Sequence, residues 1–264
     1  MSATVSQIYD RMDEKAPFRY QLGFDNAGFL VGRRSAHVDR VLVALDITKS
    51  VAEEAVELGA QLIVSHHPVI WGGVKQLTDD TPGGDLLLFL AEHGIAAICA
   101  HTNLDAVAEG VNDALARQLG LTDVAQLSQD GVDEQGRAYG IGRVGLVPNQ
   151  NVDAFAALVK QRLDAACVRV VDSGKPVRKV AVGGGSCGSM LSDALNAGCD
   201  TFVTADVKYD VFLEAKAQGL NLLDAGHYPT ENVVCPVVAG WLKESFPDLN
   251  VMISQRHREI YHCV

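Results

Sequence analysis

Residues 55–67, AVELGAQLIVSHH, hold a helix end, a glycine stop, an apolar strand and two adjacent imidazoles. Side chains of neighbouring residues in a regular strand point to opposite faces. His66 and His67 can therefore reach one pocket only if the strand is ending. Pro68, which cannot donate to a sheet ladder, predicts that end. Residues 194–206, ALNAGCDTFVTAD, repeat the pattern and finish on Ala205-Asp206.

The repeat extends outward from these segments. Strands are expected at 41–46, 61–64 and 95–100, with helices at 50–58 and 85–92 between them. The same order returns as strands 179–182, 201–204 and 220–225 with helices 190–196 and 211–217. Residues 93–105, HGIAAICAHTNLD, match 218–231, QGLNLLDAGHYPTE, with a one-residue slip. The βαβαβ order predicts an α/β fold of two related lobes with mixed, mainly parallel sheets, arising from internal duplication. The polar segment Ser128–Arg137 reads as a boundary loop, 138–148 as a strand, 153–163 as an amphipathic helix and 250–254 as a final strand.

The 264 residues are 48% hydrophobic and 21% charged, ordinary for a globular protein. A net charge of −11 argues against a general binder of nucleic-acid backbones, and an aromatic content of 6% offers few stacking platforms. No run of about 18 apolar residues stands in the chain, so no membrane span is expected. The six cysteines form no C-x-x-C pair and read as reduced, mostly buried thiols. The first residues lack an apolar signal region. These features together give the expectation of a cytoplasmic location.

Ligands of α/β sheets bind at the carboxyl ends of strands. Four of the eight histidines, His66, His67, His101 and His227, fall at such ends. His101 and His227 each stand four residues before a carboxylate, Asp105 and Glu231. Asp105 alone would read as a loop-capping residue before a helix at Val111–Leu119, and Glu231 as a helix N-terminal carboxylate before Val233–Leu242. Matched spacing and the double histidine favour metal binding instead. Imidazole with carboxylate suits zinc, iron, manganese or nickel, and a carboxylate can bridge two ions roughly 3.5 Å apart.

Other features carry less. Gly183-Gly184-Gly185-Ser186 follows a strand and could cradle a phosphate with its amides, but it matches no phosphate-loop pattern and reads better as a tight turn. Asp25-Asn26 reads as a turn framing the pocket, and Cys99 and Cys187 as packing. His257, among Arg256, Arg258 and Glu259, reads as part of a solvated face. No nucleophile-elbow pattern surrounds Ser65.

Ser65-His66-His67-Pro68, His101-Thr102-Asn103-Leu104-Asp105 and Gly226-His227-Tyr228-Pro229-Thr230-Glu231 resemble the signatures of the NIF3-like family. Its members are also called dinuclear-metal hexameric proteins or GTP cyclohydrolase I type 2 homologues. Phe24-Asp25-Asn26-Ala27-Gly28-Phe29-Leu30-Val31-Gly32 is similar to its N-terminal W-D-N-x-G-L-x-V-G motif, with phenylalanine for tryptophan. The resemblance implies two divalent ions per chain on His66, His67, Asp105, His227 and Glu231, with Glu231 as the bridge. It places His101 beside the ligands as an acid/base group. It also implies a toroidal homohexamer and a hydrolase opening the purine ring of GTP or acting on a related nucleotide. A non-catalytic metal-binding or regulatory assembly is the alternative. On this reading the lobes are residues 1–127 with 226–264, carrying most of the metal ligands, and residues 128–225, with the site in a cleft between them.

Overall fold

The computed structural model describes residues 3–264, which divide into two compact units: residues 3–104 with 235–258, and residues 105–234 with 259–264.

In unit 1, Arg40–Ala44, Leu62–Ser65 and Ala96–Cys99 form a parallel core, joined by the helices Lys49–Glu57 and Pro82–Glu92. Asn250–Ile253 adds a parallel strand beside Arg40–Ala44, and Gly28–Val31 an antiparallel one beside Ala96–Cys99. The β-branched and aliphatic runs suit strands buried on both faces. Leu42, Ala44, Ile63, Ala97 and Cys99 pack on one face against Val51, Ala55 and Leu90 of the helices. Thr48 caps the first helix by accepting from Val51 N at 3.2 Å.

Unit 2 repeats the motif. Val177–Val182, Thr201–Thr204 and Asn221–Asp224 are parallel, joined by Leu191–Asn196 and Tyr209–Gln218. Arg169–Val171 pairs antiparallel with the third strand, as Gly28–Val31 does in unit 1. On the other side come Arg143–Gln150 and Thr122–Gln126, both antiparallel. The alternation of strand side chains sorts the core. Val180, Val182, Val203 and Leu223 face Phe155, Val159 and Leu115, while Ala181, Phe202 and Leu222 face Leu191, Ala194 and Ala215.

The α/β class and the duplicated parallel core agree with the sequence reading. The unit boundaries fall elsewhere than the sequence placed them. Residues 105–127 belong to unit 2 because Thr122–Gln126 pairs with Arg143–Gln150. Residues 226–234 belong there too, because they continue from the strand Asn221–Asp224. The expected boundary loop is a small hairpin within unit 2, Gly131–Val132 pairing Ala138–Tyr139. Asp133 Oδ1 accepts from Gln135 N and Arg137 N and closes its turn. Cys167 and Cys263, expected as thiols, form a disulfide, whereas Cys99, Cys187, Cys199 and Cys235 are free. Among the described residues no helix is long and apolar enough to cross a membrane.

Candidate metal centre

In unit 1 the strand Leu62–Ser65 stops where Pro68 predicted. His66 N and His67 N still bond back to Ala44 O and Leu45 O, at 3.3 and 2.9 Å. Both imidazoles are thus held at the carboxyl end of the sheet. His101 leaves the next strand end, and ligand atoms of His66, His67 and His101 lie within 4.8 Å of one another. Ser65 donates to His67 O at 2.9 Å and is 3% exposed, so its hydroxyl serves the turn and not a nucleophilic role.

Each of the three rings is fixed through Nδ1. His66 Nδ1 meets Ala100 O at 2.8 Å, His67 Nδ1 meets Asp46 Oδ1 at 2.8 Å, and His101 Nδ1 meets Asp25 Oδ1 at 2.9 Å. A carbonyl or an ionised carboxylate only accepts, so Nδ1 carries a proton, and in the neutral ring Nε2 keeps its lone pair. Burial alone would raise the Asp25 carboxyl. Hydrogen bonds from His101 and Thr102 outweigh burial and bring it down to about 2. Asp46 follows the same balance: burial opposes ionisation, and hydrogen bonds from His257 and His67 hold it far below the ordinary carboxylate range.

In unit 2 the residues that follow the strand Asn221–Asp224 form the short helix His227–Glu231. Helical i,i+4 spacing then explains the interval read in the sequence: His227 Nε2 and Glu231 Oε2 are 2.9 Å apart. His227 Nδ1 meets Asp206 Oδ2 at 2.7 Å, the same Nδ1 arrangement as in unit 1. Asp206 leaves the preceding strand with φ +50°, a left-handed geometry that Asp tolerates better than most residues. Asp105 sits in the short helix Thr102–Ala106, and its carboxylate lies within 4.8 Å of that of Glu231. It does not cap Val111–Leu119, whose N-cap is Gly110. Asp105 and Glu231 are 7% and 3% exposed, and buried carboxylates this close repel unless a proton or cation stands with them. Burial and then these two carboxylates push the neighbouring Cys187 thiol up, so Cys187 stays a neutral packing group.

The glycine loop backs this carboxylate. A Cβ on Gly185, at φ +63°, would lie 2.0 Å from Glu231 Oε1. Gly185 N donates to Thr230 Oγ1 at 3.0 Å and Gly184 N to Asn112 Oδ1 at 2.9 Å. The amides are committed within the protein, so the tight-turn reading holds over the phosphate cradle. Asn112 also donates to Asp105 O at 3.0 Å, tying the Asp105 segment to the glycine loop behind Glu231.

Sequence reasoning placed the imidazoles and carboxylates at strand ends and missed what holds them. Asp46, directly after a buried strand, was a legible signal, as was the Asp25-Asn26 motif. Asn112 gave none. His257 is a correction: its side chain is 6% exposed, and Nε2 meets Asp46 Oδ2 at 2.9 Å, so it is not part of a solvated face.

The chain is similar to known proteins over nearly its whole length. A profile of the Duf34/NIF3 (NGG1p interacting factor 3) family matches residues 3–259. A Clostridium perfringens protein named "GTP cyclohydrolase 1 type 2 homolog" is 32% identical over 98% of this chain and 99% of its own. A Streptomyces coelicolor protein of the same name is 38% identical over 96% of this chain and 87% of its own. The solved structure of a Bacillus cereus protein related to NIF3 superposes with a TM-score of 0.94 at 25% identity, covering 100% of this chain and 99% of that one.

Proposed function

The chain belongs to the Duf34/NIF3 family, and on that premise we propose that it is a dinuclear-metal-dependent hydrolase acting on a nucleotide. His66, His67, Asp105, His227 and Glu231 would hold the two divalent ions, Glu231 offering two oxygens. The donor set fits such a pair: neutral imidazoles and buried carboxylates suit zinc, iron, manganese or nickel, and discriminate poorly among them. Such ions, when bound, would supply Lewis acidity for hydrolysis.

The observation that carries the reading is the shared orientation of the imidazoles. Each meets an oxygen within its own unit through Nδ1, and His227 Nε2 lies 2.9 Å from Glu231 Oε2. Metal-ligating histidines are held in this way. His101 takes up and releases a proton at Nε2, with Asp25 fixing its tautomer. GTP, opened at its imidazole carbon, is the substrate that the relatives' name suggests. The chain works as a cytoplasmic homohexamer.

The test is turnover of GTP by metal-loaded protein, with product read by chromatography and mass spectrometry, beside His101→Gln. The expected result is product formation in wild type and a loss of about 10²- to 10⁴-fold in the variant, with metal content retained. Loaded protein that turns over no nucleotide or phosphoester would leave the regulatory metal-binding assembly as the function.

A further inference from the structure

Within unit 1 the chain past Asn250–Ile253 is tied down residue by residue. Ser254 N donates to Val43 O at 2.8 Å. Glu54, 6% exposed, accepts from Gln255 N at 2.8 Å and from the Ser254 hydroxyl. Ser254 Oγ in turn accepts from His257 N at 3.1 Å. This turn delivers the His257 ring to Asp46. One carboxylate then stands between two imidazoles, with Oδ1 toward His67 Nδ1 at 2.8 Å and Oδ2 toward His257 Nε2 at 2.9 Å.

We infer that His257 is a positioning residue: by holding Asp46 it fixes the ring and the tautomer of His67, and so presents His67 Nε2 to a divalent cation. This role rests on the metal reading proposed above.

His66, His101 and His67 differ in how their Nδ1 acceptors are held. His66 donates to Ala100 O, a backbone atom fixed by the sheet. His101 donates to Asp25, whose side chain is 0% exposed and also accepts from Thr102 N at 3.0 Å and Thr102 Oγ1 at 2.5 Å. Asp46 has neither protection. Its side chain is 42% exposed, so packing does not fix its rotamer, and a half-exposed carboxylate turns readily to water. The second imidazole, buried and anchored through its own backbone, supplies the constraint. Because the carboxylate accepts from both rings, His257 donates from Nε2 and His67 from Nδ1, which leaves His67 Nε2 as the lone-pair nitrogen.

The test uses the full chain and two readouts. Zinc affinity is measured by chelator competition in wild type, His257→Ala and His257→Gln, the last of which can still donate to Asp46. The His67 tautomer is read in metal-free protein by long-range ¹H–¹⁵N NMR. The expected result is zinc binding weakened about 10-fold in His257→Ala and largely restored in His257→Gln, with His67 passing from a single Nδ1–H form to a mixture only in the alanine variant. Wild-type affinity together with an unchanged His67 tautomer in His257→Ala overturns the role. A wild type that takes up no zinc refutes the metal reading, and the tautomer measurement then still decides whether His257 sets the His67 ring. If His257→Ala fails to fold, His257→Gln against His257→Met carries the same comparison, since both fill the space and only glutamine donates. Equal behaviour of that pair overturns the role.

Discussion

Replacing Gly185 with alanine strikes at the brace behind Glu231. The residue sits at φ +63°, where a Cβ costs about 1–2 kcal/mol. That Cβ would stand 2.0 Å from Glu231 Oε1 and 2.8 Å from its Cδ, so the carboxylate must move by more than an ångström from a site where it is 3% exposed. The backbone cannot yield freely, because Gly185 N is bonded to Thr230 Oγ1 at 3.0 Å on the same short helix. Overpacking of this kind adds about 1–3 kcal/mol, for a total of roughly 2–5 kcal/mol, or a fall in melting temperature of about 5–15 °C. On the proposed metal reading, the displaced oxygen is also expected to weaken zinc uptake. Gly198→Ala is the control: its φ is +70°, with nothing within 4 Å of the new Cβ, so it carries the backbone cost without the collision. The assays are thermal unfolding by circular dichroism and zinc affinity by chelator competition. A Gly185→Ala protein that melts with Gly198→Ala and binds zinc like wild type would refute the reasoning.

Three further outcomes are expected. Asp25 titrates at about 2 in the folded chain against an ordinary value of 3.8, so its stabilising contribution is fully present above pH 4 and is lost as the pH falls through 2. Acid unfolding of Asp25→Asn should lack this contribution, roughly 2 kcal/mol, and coincident acid profiles for variant and wild type would contradict it. The disulfide joins residues 96 apart in sequence, both in unit 2; reductant or Cys263→Ser should lower the stability of that unit by about 2–4 kcal/mol, read by calorimetry, and an unchanged melt would contradict the link. Light scattering should give six times the monomer mass, and a monomer mass would remove the proposed hexamer.

The repeated strand–helix order was legible because each strand is a short β-branched run and each connecting helix stops at a glycine. The positions of His66, His67, Asp105, His227 and Glu231 followed from strand ends, a local property. The division into units was not legible. Residues 105–127 join unit 2 through strand pairing between Thr122–Gln126 and Arg143–Gln150, and no local signal names a pairing partner. The roles of His257 and Asn112 were hidden for the same reason: His257 reaches Asp46 across 211 residues, and Asn112 reaches Gly184 across 72. Gly185 read as part of a tight turn, but the sequence shows only the missing side chain and not the carboxylate that takes its place.

The central claim is that this set of imidazoles and carboxylates exists to hold a pair of divalent ions. Elemental analysis of protein purified without chelator, on wild type and on Glu231→Ala, tests it most directly. The account predicts about two ions per chain in wild type and a clear loss in the variant. A wild type that stays free of metal after loading with zinc, manganese or iron would contradict it, and the hydrolase reading would fall with it.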